Sequence, residues 1–294
     1  MGSFTALRRV PPAIAVLALI GLVAAAVAAY AATQPAIQTF TPHSEKQITN
    51  LDVLRQQIRN YYGDPLGTGT FAPDSNYAQE AESVAKDGEH YLAAKANGKH
   101  GDDHGKGNHD RRGGKNLMPA IILDVDDTSL ATWNYEVFSN WAFNPTTNGD
   151  FVTQQKFPAV PGMVDLATQA AKEGYAIIFL TGRGAAQEPA TLGNLTSDGV
   201  GVDAGYPQPT TLNDGEDGLF TKPAVANYPD YLKATCSGDP NGSCTTIHYK
   251  SATRAHIESL GYDIVANFGD QFSDLEGGHA DKTFKLPNPN YFLP

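Results

Sequence analysis

Apolar residues along the chain fall into two patterns, one recurring with helical spacing and one in short unbroken runs. Ile48, Leu51, Leu54, Ile58 and Tyr61 share one face of a predicted helix over 44–62. Ser44 is placed to cap its start, and Gly63-Asp64-Pro65 ends it. A second helix is expected over about 75–95. The period then changes. Residues 118–125, MPAIILDV, form a continuous apolar run, which is how a strand buried on both faces reads. Residues 167–172 look helical, and 175–180, YAIIFL, are a second such strand. Residues 245–249 are expected as a third strand, 252–260 as a helix, and 263–268, DIVANF, as a fourth strand. Strands alternating with helices predict an α/β fold, a doubly wound and mainly parallel sheet.

Three of these strands run into polar residues. Asp124-Val125-Asp126-Asp127-Thr128 closes the first, Thr181-Gly182-Arg183 the second, and Gly269-Asp270-Gln271-Phe272-Ser273-Asp274 the fourth. Ligands of open α/β sheets sit beyond the carboxyl ends of the strands, so Asp124, Asp126, Thr181, Asp270 and Asp274 are expected to converge. Crowded carboxylates stay ionised only if cations neutralise them. An all-oxygen ligand set favours a hard ion such as Mg²⁺, which remains free to grip a phosphate. A carboxylate can attack phosphorus, and a second carboxyl two residues on can protonate the leaving oxygen. The Thr181 hydroxyl and the Gly182 N–H are candidate phosphate donors. Lys250, directly after the expected third strand, is the candidate positive partner, with Lys222 a weaker one.

Charge and composition narrow the function classes. The 294 residues carry a net charge of −11, which argues against non-specific nucleic-acid binding. Arg8 and Arg9 precede an uncharged apolar run over 13–32, so residues 1–32 read as a secretory signal peptide or, alternatively, as a membrane anchor. Either reading puts the folded part outside the cytoplasm. Cys236 and Cys244 flank a turn-rich spacer, so a disulfide is the first reading and two free thiols the second. Residues 33–97 hold a short tether and the N-terminal helices, expected to pack on the core or cap. Residues 98–115, GKHGDDHGKGNHDRRGGK, lack any apolar residue and read as a flexible loop; His100, His104 and His109 make metal binding the alternative. Trp133, Tyr135 and Trp141 are read as packing residues, with Trp133 and Tyr135 as an aromatic wall for a substrate's leaving group, such as a nucleotide base, the alternative.

Four segments in order carry a resemblance. ILDVDDTSLATWNY (122–135), IIFLTGR (177–183) and YKSATRAHIESLGYDIVANFGDQFSDL (249–275) resemble the motifs of the haloacid dehalogenase superfamily, with the last stretch holding two of them. FKLPNPNYF (284–292) is similar to the class B/class C acid phosphatase branch, which includes plant acid phosphatases and vegetative storage proteins. The resemblance covers roughly residues 117–294 and implies a phosphatase core over 116–294 with cap insertions. Segments 131–160 and 184–245, with the N-terminal helices, would form the cap. It implies Asp124 as nucleophile and Mg²⁺ ligand, and Asp126 as general acid/base with its carbonyl on the metal. Thr181 and Lys250 would hold phosphate, and Asp270 and Asp274 would complete the metal site. The implied activity is hydrolysis of a small phosphomonoester. A non-catalytic storage or binding protein on the same fold is the alternative, as is phosphotransfer to an alcohol. Class C members often have Glu where this chain has Asp127, and the 98–115 loop has no expected counterpart. The oligomeric state is not legible.

Overall fold

The computed structural model describes residues 41–96, 117–196 and 200–293. The expected signal or anchor segment and the His/Gly-rich loop lie outside the described residues. In chain order the elements are α1 (Leu51–Tyr61), α2 (Asn76–Ala96), β1 (Met118–Leu123), α3 (Trp133–Ser139), α4 (Pro145–Thr153), α5 (Met163–Lys172), β2 (Ala176–Gly184) and α6 (Glu188–Thr196). They continue with β3 (Leu219–Lys222), α7 (Asp230–Thr235), α8 (Thr246–Ser259), β4 (Tyr262–Gly269), α9 (Phe272–Leu275) and β5 (Lys282–Lys285). The strands form one sheet in the order β3-β2-β1-β4-β5, and every pairing is parallel.

Strand geometry sorts the apolar runs onto two faces, because successive side chains point oppositely. Ile121, Leu123, Ile177 and Phe179 belong to the core shared with α2 and α5. Ala120, Ile122, Ile178 and Leu180 belong to the core shared with α7 and α8. A continuous apolar run serves both, which is why β1 and β2 do not alternate in sequence. Helix α2 supplies Ala81, Ala85 and Leu92 to the first core, so it is one of the layers covering the sheet. It approaches closely at Gly88, where a Cβ would lie 2.7 Å from Leu166 Cδ1 and Phe268 Cε1.

Three expectations are corrected. Residues 245–249 are not a strand: they open α8, with the Thr245 hydroxyl accepting from the His248 N–H at 3.2 Å as an N-cap. The strand between β2 and β4 in sequence is β3, and β5 closes the other edge. Helix α1 begins at Leu51, capped by Asn50, whose side chain accepts from Asp52 N and Val53 N; Ser44 makes no cap bond. The start of its predicted apolar face is open, with Ile48, Leu51 and Leu54 all exposed. Its other end packs: Tyr62 stacks on Trp133 with ring centroids 4.1 Å apart, beside Tyr77. Among the described residues no helix is long and apolar enough to cross a membrane. Cys236 and Cys244 form a disulfide that joins the end of α7 to the residue before the cap of α8.

Candidate active site

Asp124 follows β1 directly, and its N–H still donates to Phe268 O of β4 at 3.0 Å. That bond sets the carboxylate at the carboxyl edge of the sheet, buried at 6% exposure. The Ser129 hydroxyl donates to the Asp124 carbonyl at 2.6 Å and tightens the turn that follows. The strand does not continue through Asp126. The chain turns, Asp127 takes a positive φ of 52°, and Asp126 is half-buried with its carboxylate on Arg183. Such a φ is uncommon for a residue with a side chain. It is held here by hydrogen bonds: the Asp127 carboxylate accepts from Thr132 N at 2.8 Å and from the Thr132 hydroxyl at 2.5 Å.

β4 delivers the second group. Asp270 is buried at its end, and Asp274 comes back from α9 to meet it. Carboxylate oxygens of Asp124, Asp270 and Asp274 all lie within 4.8 Å of one another. Helix α8 brings Lys250 in from one face. Its ammonium donates to Asp124 Oδ1 and, at 2.6 Å, to Asp274 Oδ1. Burial lowers the Lys250 pKa, but Asp124 and Asp274 outweigh it and hold the group above its ordinary value. One ammonium does not balance three carboxylates. Burial raises Asp124, Lys250 pulls it back and Asp274 pushes it up again, leaving it at about 7. Asp270 is also raised, first by burial and then by Asp274 and Asp124. Asp127 reaches about 6 by burial against the Thr132 bonds. A divalent cation fits this donor set: buried, all-oxygen, convergent and short of positive charge.

β2 supplies the third group. Thr181 is buried, and its hydroxyl accepts from Arg183 N at 3.1 Å. A Cβ at Gly182 would meet no atom within 4 Å, so its backbone faces open space. Arg183 reaches Asp126 with a two-point fork, Nη2 to Oδ1 at 2.7 Å and Nε to Oδ2 at 3.1 Å, and anchors on the Thr191 hydroxyl at 3.0 Å. Lys222 is elsewhere, donating to the Cys244 carbonyl at 2.6 Å.

The aromatic-wall reading of Trp133 and Tyr135 gives way to packing. Both side chains are 1% exposed. The Trp133 ring N–H donates to Asp64 Oδ2 at 3.0 Å, and the Tyr135 hydroxyl donates to the Asn144 carbonyl at 3.0 Å. Trp133 opens α3, whose start turns it toward α1 rather than toward the carboxylates.

Several supporting groups carry no legible motif. Asn288 in the C-terminal segment donates to Asp270 Oδ2 at 2.6 Å, and Gln271 Nε2 donates to the same oxygen at 2.6 Å. Arg254 is fully buried on α8, one turn after Lys250, and burial lowers its pKa to about 10. It donates to the carbonyls of Asp274 at 2.7 Å and Gly278 at 2.9 Å, holding the loop that carries Asp274.

Gly269 makes the carboxylate cluster possible. A Cβ there would collide with the Asp274 side chain, its Oδ2 being only 2.8 Å away. Gly269→Ala is expected to push Asp274 out of line and weaken divalent-cation binding by roughly 10- to 100-fold, the usual cost of losing a supporting contact at a metal site. A calorimetric titration with divalent cations checks this, and unchanged affinity would show that Asp274 has little part in holding an ion.

A model of the HAD superfamily, subfamily IIIB (acid phosphatase), matches residues 23–294 of the chain. Among curated proteins, the stem 28 kDa glycoprotein of Glycine max is 30% identical over 180 residues, 59% of each chain. Acid phosphatase 1 of Solanum lycopersicum is 28% identical over 181 residues, 58% of each chain. The alignments thus span under two thirds of these relatives' lengths. Among solved structures, the class C acid phosphatase from Bacillus anthracis with tungstate bound superposes with a TM-score of 0.55 at 19% identity, covering 83% of this chain and 87% of that one. That likeness shows a shared fold.

Proposed function

Because the chain belongs to the HAD superfamily, subfamily IIIB of acid phosphatases, we propose that it is an exported, magnesium-dependent phosphomonoesterase acting through an aspartyl phosphate on Asp124. The observation that carries this reading is the convergence of Asp124, Asp270 and Asp274 on one buried spot, with Lys250 between two of them. The disulfide and the basic-then-apolar N-terminus support export.

Asp124 Oδ attacks phosphorus as the ester oxygen leaves. The phosphoryl group passes to the carboxylate, and Asp126 gives its proton to the departing alkoxide. Asp126 then takes a proton from water, which attacks the aspartyl phosphate and releases phosphate with Asp124 restored. Lys250 steadies the phosphoryl oxygens, and the Gly182 N–H and Thr181 hydroxyl offer fixed donors. The two-point Arg183 fork fixes the orientation of the Asp126 carboxylate beside the Thr181–Gly182 turn. Asp124, Asp270, Asp274 and the Asp126 carbonyl would hold Mg²⁺, which when bound neutralises charge on the carboxylates and on the phosphoryl group.

The test is hydrolysis of p-nitrophenyl phosphate by the purified protein. Turnover is expected with Mg²⁺, absent with a chelator, and restored by adding Mg²⁺ back. No turnover with Mg²⁺ anywhere between about pH 4 and about pH 8 would overturn the general phosphatase reading. Product analysis with an added alcohol separates hydrolysis from phosphotransfer, since both use the same intermediate.

A further inference from the structure

Two adjoining hollows of about 420 and 630 Å³ run beside the edge strand β3 and share Glu188, Asp214, Glu216 and Leu219 in their walls. The larger is of the size that holds small molecules. Neither is lined by Lys or Arg. The one lining side chain able to carry positive charge is His256, whose Nε2 lies 3.7 Å from Asp214 Oδ2. His256 also stacks on Tyr231, with centroids 4.4 Å apart and planes 8° from parallel. The carboxylates therefore stand against an aromatic wall.

Tyr249 adds an independent observation. It lines the larger hollow, it is 1% exposed, and its hydroxyl has no hydrogen-bond partner. A buried polar group without a partner is costly and calls for an explanation, an absent ligand being one. Among the described residues the carboxylates here do not converge as a chelate; the converging set is Asp124, Asp270 and Asp274. The spread of charge suits a ligand with separated positive groups and carbon between them, not a bare ion.

We infer that this cavity binds a small organic polycation, an alkyl diamine or polyamine. Glu188, Asp214 and Glu216 face its ammonium groups, Tyr231 and His256 flank its carbon chain, and the Tyr249 hydroxyl accepts one of its N–H groups. One Glu188 oxygen already accepts from the Thr221 hydroxyl, leaving the other for the ligand. Burial, followed by Asp214 and Asp217, raises the Glu216 pKa, an imbalance that a bound ammonium relieves. The site is distinct from the carboxylates of the phosphatase reading and does not depend on it.

The test is calorimetric titration of putrescine and spermidine into the full-length protein, with NaCl at matched ionic strength and MgCl₂ as controls. Saturable one-to-one binding of the amines is expected. Glu216→Gln combined with Asp214→Asn should weaken it at least about 10-fold, and Tyr249→Phe about 5-fold, the loss of one net hydrogen bond. Tyr249→Phe removes an unpartnered hydroxyl, so it keeps its fold and its thermal midpoint. Glu216→Gln should leave p-nitrophenyl phosphate turnover unchanged. No amine binding, binding matched by NaCl, or equal affinity in the Asp214/Glu216 variant overturns the proposal. Equal affinity in Tyr249→Phe overturns the role given to that hydroxyl and, with it, the placement of the ligand.

Discussion

Asp124→Asn is expected to lower turnover by at least about 10⁴-fold, the scale seen when a covalent nucleophile is removed. Asparagine has nearly the shape of aspartate, but its neutral amide is too weak a nucleophile toward phosphorus. The same change should stabilise the metal-free protein above neutral pH. Burial and Asp274 hold Asp124 at about 7 in the folded state, against an ordinary value of 3.8. A carboxylate raised on folding contributes stability that is present below its unfolded pKa and lost as pH rises through the folded one. Wild-type protein without metal should therefore become less heat-stable from about pH 4 to about pH 8. In Asp124→Asn that decline should be shallower, and added Mg²⁺ should raise the melting temperature less. Single-turnover assays and thermal unfolding with and without Mg²⁺ check both halves. Wild-type turnover in the variant would place the nucleophile elsewhere. An unchanged pH slope would mean that Asp124 is not the strained acid.

Much of this site was legible because its residues sit at strand ends, and strand ends are visible in apolar runs. β1, β2 and β4 are buried on both faces and leave unbroken stretches. β3 and β5 do not. Each has four residues, LFTK and KTFK, and as edge strands they meet fewer apolar neighbours. Residues 245–249 misled in the opposite way. Thr, Ile and Tyr favour strands, but the apolar face that settles the element is spaced for a helix, through Tyr249, Ala252 and Ile257. Lys250 reached the expected edge regardless, because the first turns of α8 occupy the place given to that strand's end. Asn288 and Arg254 were invisible for another reason. One acts across 18 residues of chain and the other on backbone carbonyls, and neither leaves a pattern of residue types. Trp133 shows the limit of adjacency: nearness to Asp124 in sequence says nothing about which way a helix start turns a ring.

Lys250→Met is expected to be the most destabilising single change at the site. The side chain keeps its unbranched shape and most of its length, but Asp124 and Asp274 lose the ammonium between them. Breaking a buried ion pair from one side typically costs about 3–5 kcal/mol. In a domain of this size that corresponds to a fall of roughly 10 °C in melting temperature. The loss depends on charge, so it should depend on pH. Lys250 lowers the Asp124 pKa, and without it the carboxyl is raised further and is neutral over a wider range. The gap between variant and wild type should therefore be widest near about pH 8 and close as pH falls toward about 4. Mg²⁺ neutralises the same carboxylates, so saturating Mg²⁺ should return much of the lost stability. Activity should not return with it, because the phosphoryl oxygens have lost their positive partner. The variant would then be folded, metal-loaded and slow, with KM raised as well as kcat lowered. A melting deficit independent of both pH and Mg²⁺ would instead assign Lys250 a packing role, since only the charge couples it to protons and metal.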